Sequence, residues 1–243
     1  MFFCFNFLNA VIYWEQKLGA REQGTGDRGQ GAKETKWTTS VVNELIRLLE
    51  ECYPEAYCAL DHNKDYELLF SARLSAQCTD ARVNTVTPVL FGRYPSLEAL
   101  ADADVSELES MIHSCGFFRA KARDIIAAAT MLVSDFGGRV PDTMEDLLRL
   151  PGVGRKTANL ILGDVHGKPA VVVDTHCIRL SNRIGLVRTR DPVKIEAVLR
   201  DLLPPDKSSD FCHRLVLHGR AVCKAKNPAC SACCIAEVCE SRG

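Results

Sequence analysis

The chain has 243 residues and a mass of 26.8 kDa, with 47% hydrophobic and 25% charged residues. That is the composition of an ordinary globular protein, and it excludes a fibrous or wholly disordered chain. Thirty Lys and Arg against 31 Asp and Glu leave a net charge of −1, which by itself argues against a nucleic-acid partner.

Residues 1–14 (MFFCFNFLNAVIYW) are apolar but lack the basic segment and small-residue cleavage site of a secretory leader. Residues 15–36 are polar and Gly-rich without periodicity. Residues 1–37 therefore read as a disordered N-terminal extension. No run reaches the roughly 18 apolar residues needed to span a bilayer. The expectation is a cytoplasmic protein with reduced thiols and no membrane association.

From Trp37 onward the apolar spacing is helical. It predicts helices over 40–51, 66–78, 80–91, 96–101, 104–113, 118–136, 142–150, 155–166, 175–184, 192–202 and 208–221. Asp104 with Glu107, and Asp142 with Glu145, have capping-box spacing, and Asp191-Pro192 places a cap before an N1 proline. The one strand-like run, Ala170–Val173, is too short for a sheet and reads as a buried extended link. The fold class is all-α.

Charge is uneven along this helical region. Residues 41–114 carry a net −8 and residues 115–190 a net +5. That basic block permits a DNA-facing surface despite the neutral total.

Three features inside and after it carry chemistry. The first is LPGVGRKTA, Leu150–Ala158, where Pro151 and Gly152 end one helix and another starts near Arg155. Gly154 is expected to allow a positive φ and close backbone approach, and such a turn can aim N–H groups at a phosphate. A plain helix–helix turn would look the same.

Within it, Lys156 falls in the first helical turn, where the dipole and partial desolvation would lower its pKa. It is a candidate Schiff-base nucleophile or a phosphate-binding cation. The second feature is Asp174 in VVVDTH, which reads as a helix N-cap whose carboxylate could also stabilise a cationic sugar or assist the lysine. His176, two residues on, serves there or simply packs.

The third is Cys223-x6-Cys230-x2-Cys233-x5-Cys239, four thiols within 17 residues. They suit zinc or an iron–sulfur cluster with a structural role, pinning a loop that carries Lys224 and Lys226, both candidate phosphate contacts. The other eight of the 12 cysteines read as reduced thiols.

Together, LPGVGRKTAN, VDTH, LHGR and the cysteine spacing resemble the endonuclease III family of helix–hairpin–helix DNA glycosylases. LSAQCTD (Leu74–Asp80) resembles that family's LSAQ-x-TD, with Cys78 at the open position. The resemblance covers residues 38–243. It implies two helical domains flanking a DNA-binding cleft: a six-helix barrel with the hairpin at 58–168, and a [4Fe–4S] cluster domain built from 38–57 and 169–243.

It also implies removal of oxidised pyrimidines from double-stranded DNA and β-elimination at the abasic site. Lys156 would be the nucleophile, Asp174 its partner, and the four cysteines the cluster ligands. Gln77 and Phe117 would enter the duplex where the base is extruded, with Gly152, Gly154 and Arg155 on the DNA backbone. Arg119 and Lys121 are further expected phosphate contacts. The expected state is a monomer.

Two rivals are weaker. An adenine glycosylase of the same superfamily typically lacks a lysine at the position of Lys156 and carries a further C-terminal domain. A non-catalytic zinc-knuckle module does not require Lys156 and Asp174 together.

Overall fold

The computed structural model describes residues 36–242; of the extension read as disordered over 1–37, residues 1–35 lie outside the described residues, whereas Trp37 Nε1 donates to the Gly185 carbonyl at 2.8 Å. Among the described residues the structure is all-α, with no strand. No helix among them is long and apolar enough to cross a membrane. The chain divides into two compact units. One joins the segment ending at Ala56 to the segment starting at Pro169, and the other is Tyr57–Lys168.

The Tyr57–Lys168 unit contains α1 (Asp65–Leu74), α2 (Asp80–Arg93), α3 (Leu97–Ala101), α4 (Val105–Met111), α5 (Phe118–Phe136), α6 (Met144–Arg149) and α7 (Arg155–Asp164). Its centre is α5, which buries Ala122, Ile125, Ala128, Ala129 and Leu132 and packs against α1, α3 and α4. Gly137, in the left-handed region at φ 58°, ends α5 by letting Gly138 N–H turn back to Leu132. The hairpin helices α6 and α7 pack on each other, and α7 also rests on α1.

The other unit contains α8 (Thr39–Cys52), α9 (Thr175–Ile184), α10 (Pro192–Leu202) and α11 (Ser208–Ala221). Thr38 caps α8, whose buried face is Val42, Leu45, Ile46 and Leu49. Leu45 and Leu49 are fully buried, and truncating either to Ala would cost about 2–5 kcal/mol. Both α8 and α9 pack on α11. Ala170–Val173 is a buried link in no helix and no strand, as its composition suggested.

Most predicted bounds hold within two residues, and two local expectations are corrected. The helix predicted over 66–78 stops at Leu74, because the chain turns through Gln77 at φ 54° and the carbonyls of Leu74 and Ala76 accept bonds from Lys121 instead. Thr143, not Asp142, caps α6, and Asp142 instead pairs with Lys168 at 2.7 Å. Asp104 and Asp191 cap α4 and α10 as predicted.

Candidate functional site

The hairpin lies between α6 and α7. Gly152 adopts φ 74°, and a Cβ there would come within 2.6 Å of Arg73 Nε and 2.8 Å of Asp124 Oδ2. Both steric terms require glycine. Gly154 is not the positive-φ residue expected from the sequence: its φ is −102° and a Cβ would meet nothing within 4 Å. It is the N-cap of α7, and no side chain caps that helix. A helix N-terminus that no side chain caps has the form of an anion-binding turn.

Beneath the hairpin, Arg73 Nε and Nη2 donate to Asp124 Oδ2 at 2.8 and 2.6 Å. Sequence reasoning missed this support, because 51 positions separate the partners and neither lies in the hairpin motif.

Lys156 is the second residue of α7 and is exposed, as are Gly152, Gly154 and Arg155. The expected desolvation of Lys156 is therefore not what the structure provides. Its position in the positive first turn remains.

Two further loops of the same unit present side chains outward. Gln77 and Phe117 are both exposed and both left-handed, with φ of 54° and 47°. Such a backbone costs a non-glycine residue roughly 1–2 kcal/mol. Phe117 is 67% exposed, whereas Phe118 packs against His113 with ring centroids 4.5 Å apart and the rings tilted by 45°.

Lys121 is not a phosphate contact. It is fully buried, and its Nζ donates to the carbonyls of Leu74, Ala76 and Cys115 at 2.7, 2.8 and 2.8 Å. Burial pushes its pKa down, while the three carbonyls accept all three N–H bonds of the ammonium. The lysine thereby ties the Gln77 loop to the Phe117 loop. Arg119 is exposed, and its guanidinium lies over the Phe118 ring.

Asp174 belongs to the other unit. It is the N-cap of α9, accepting from Cys177 N at 2.7 Å, and is half-buried. His176 packs closely on α11: a Cβ on Gly219 would approach its Nδ1 to 2.5 Å.

In the same unit a cavity of about 170 Å³ is walled by Cys223, Cys230, Cys233 and Cys239 together with Arg183, His218, Ile184 and Ile235. Arg183 Nη1 approaches Cys223 Sγ at 3.4 Å and donates to the Lys224 carbonyl at 2.7 Å. His218 Nε2 lies 3.3 Å from Cys233 Sγ, and its Nδ1 meets Tyr53 Oη at 3.0 Å. Burial pushes the Cys233 and Cys239 thiols up, and the neighbouring cysteines add to it.

A bound cation would reverse that tendency by holding the thiolates. Among the described residues no three His, Cys, Asp or Glu converge tightly enough to hold a metal ion; the four sulfurs stand around a cavity instead. That donor set, all sulfur with an N–H aimed at one of them, fits a polynuclear iron–sulfur group. Lys224 and Lys226 are exposed on the adjoining loop.

Comparison with known proteins gives the family. Residues 70–205 match the HhH-GPD superfamily of base excision DNA repair proteins. The endonuclease III of Synechocystis sp. (strain PCC 6803) is 49% identical, covering 82% of this chain and 91% of its own. That of Bacillus subtilis (strain 168) is 42% identical, covering 78% and 87%.

The fold is similar to a trapped endonuclease III–DNA covalent intermediate, an estranged-adenine complex. The TM-score is 0.79 at 38% identity, over 84% of this chain and 97% of that one. A thermostable thymine-DNA glycosylase shares the fold at TM-score 0.74 and 23% identity. The chain belongs to the endonuclease III family of HhH-GPD DNA glycosylases, proteins of base excision repair.

Proposed function

We propose that the protein is a bifunctional DNA N-glycosylase and abasic-site lyase that excises oxidised pyrimidines from double-stranded DNA as a cytoplasmic monomer. The observation that carries this reading is Lys156. It is an exposed amine in the first turn of the helix that follows an uncapped glycine hairpin. The similarity to a solved endonuclease III–DNA covalent intermediate supports it.

The hairpin amides at Gly152 and Gly154, with Arg155, hold the DNA backbone. The damaged nucleotide is extruded, since C1′ is shielded in the duplex and an oxidised base unstacks at lower cost. Gln77 and Phe117 fill the space left behind. Their exposure, and the left-handed backbone that projects them, suit that task.

Lys156 Nζ, once deprotonated, attacks C1′ and displaces the base. Asp174 stabilises the positive charge developing on the sugar and accepts a lysine proton. The covalent product opens to an imine, which acidifies C2′–H. Loss of that proton expels the 3′ phosphate. Cys223, Cys230, Cys233 and Cys239 would hold a [4Fe–4S] cluster, whose contribution when bound is structural. It would fix the loop carrying Lys224 and Lys226, which then contact phosphates.

The test is a duplex containing one oxidised thymine, with free base measured by chromatography and strand products by gel. The expected result is stoichiometric base release with a β-elimination end on the nicked strand. Base release without nicking would contradict the lyase assignment, and no release from oxidised pyrimidines would contradict the substrate class.

A further inference from the structure

Among the described residues three non-glycine residues have a positive φ: Gln77, Phe117 and Asn227. Asn tolerates the left-handed region, whereas Gln and Phe persist there only where the surrounding structure holds them. Lys121 bonds to both of those turns from inside the same unit.

Its Nζ donates to the carbonyls of Leu74 and Ala76 at 2.7 and 2.8 Å, and Ala76 directly precedes Gln77. The third N–H goes to the Cys115 carbonyl at 2.8 Å, two residues before Phe117. The backbone N–H of Lys121 donates to the Phe117 carbonyl itself at 3.1 Å. A cation suits this place. Leu74 is the last residue of α1, where free helix carbonyls and the negative end of the dipole attract an ammonium. Lys121 is fully buried, while Gln77 and Phe117 are exposed.

We propose that Lys121 is a positioning residue for base excision: from the core it fixes the Gln77 and Phe117 loops relative to each other, so that the two side chains enter the duplex as one unit. The proposal rests on the reading that Gln77 and Phe117 enter the duplex. Lys121 touches no DNA. It acts on extrusion of the nucleotide, whereas the hairpin holds the DNA backbone. A lysine that only supported the core would change stability and leave the rate of each folded molecule alone. A positioning lysine governs that rate as well.

The test uses the full chain with its cluster. Lys121→Met keeps the aliphatic stem and removes all three donors. The substrate duplex carries 2-aminopurine beside an oxidised thymine, so that fluorescence rises as the stack opens. Measurements are made below the melting temperature of each protein. In Lys121→Met the fluorescence rise and single-turnover base release should both slow by about 10²-fold, the order expected when reacting groups are misplaced by about 1 Å. Affinity for an undamaged duplex should stay as in wild type. A variant that melts earlier but opens and cleaves at the wild-type rate would overturn the proposal.

A second measurement holds even where Lys121→Met does not fold. If the loops act as one unit, Gln77→Ala combined with Phe117→Ala should lose no more than the worse single variant. Losses that multiply would overturn the proposal. If wild-type protein releases no base, the functional reading fails instead. Amide hydrogen exchange then decides the positioning role. Cys78 N–H and Gly116 N–H, which donate within the two turns to the Ser75 and His113 carbonyls, should exchange faster in Lys121→Met, and unchanged exchange would overturn it.

Discussion

At the scale of single residues, structural and chemical roles can be separated by choosing substitutions that keep one and remove the other. Asp174 accepts from Cys177 N as the N-cap of α9. Asn caps nearly as well as Asp, so Asp174→Asn should cost only a few tenths of a kcal/mol, whereas Asp174→Ala should cost about 0.5–2 kcal/mol. Under the proposed mechanism both should lower base release by about 10²-fold or more, because both remove the carboxylate assigned to the developing positive charge. Thermal melts set beside single-turnover kinetics read the two effects independently. Equal activity of Asp174→Asn and wild type would reduce Asp174 to a cap.

Lys121 shows the opposite case. Its sequence position in a basic block suggested a phosphate contact, but it is fully buried on three carbonyls. Charge along the sequence does not say which cations face water.

At the scale of elements, the hairpin divides its two glycines. Gly152 sits at φ 74° against the Arg73–Asp124 pair, so Gly152→Ala should destabilise by roughly 1–3 kcal/mol and weaken DNA binding. Gly154 has ordinary φ and open space at Cβ, so Gly154→Ala should cost less than about 1 kcal/mol, the difference between the two residues as N-caps. Denaturant melts of the two variants, with DNA titrations, check this ordering; equal losses would contradict it.

The same element shows what a sequence can disclose. Period, caps and prolines located every α-helix from Thr39 to Ala221, because those signals are local. The hairpin was equally legible. The assignment of positive φ to Gly152 rather than Gly154 was not. It depends on Arg73 and Asp124, which reach the turn only through tertiary packing. The early end of α1 at Leu74 likewise depends on a lysine 47 positions later.

At the scale of the whole molecule, a net charge of −1 conceals the +5 carried by residues 115–190. If that block and the Lys224–Lys226 loop meet several phosphates, binding should fall steeply with salt, with a log–log slope near −0.9 per phosphate neutralised. Lys224→Ala with Lys226→Ala should reduce that slope by about 1–2, and a flat dependence in the wild type would remove the basic block from the interface.

The cavity makes a parallel claim. Purified protein should hold about four irons per chain and absorb broadly in the visible range, and Cys230→Ser should lose both. A colourless protein with stoichiometric zinc would contradict the iron–sulfur assignment.

The central claim is that Lys156 forms a covalent imine with the sugar of the damaged nucleotide. Borohydride reduction during reaction with a duplex bearing an oxidised thymine tests it most directly. Wild-type protein should give a stable protein–DNA adduct whose linked peptide contains Lys156. Lys156→Gln should give none while melting within roughly 0.5 kcal/mol of wild type, because the side chain is exposed. An adduct that persists in Lys156→Gln, or one mapped to another amine, would contradict the account.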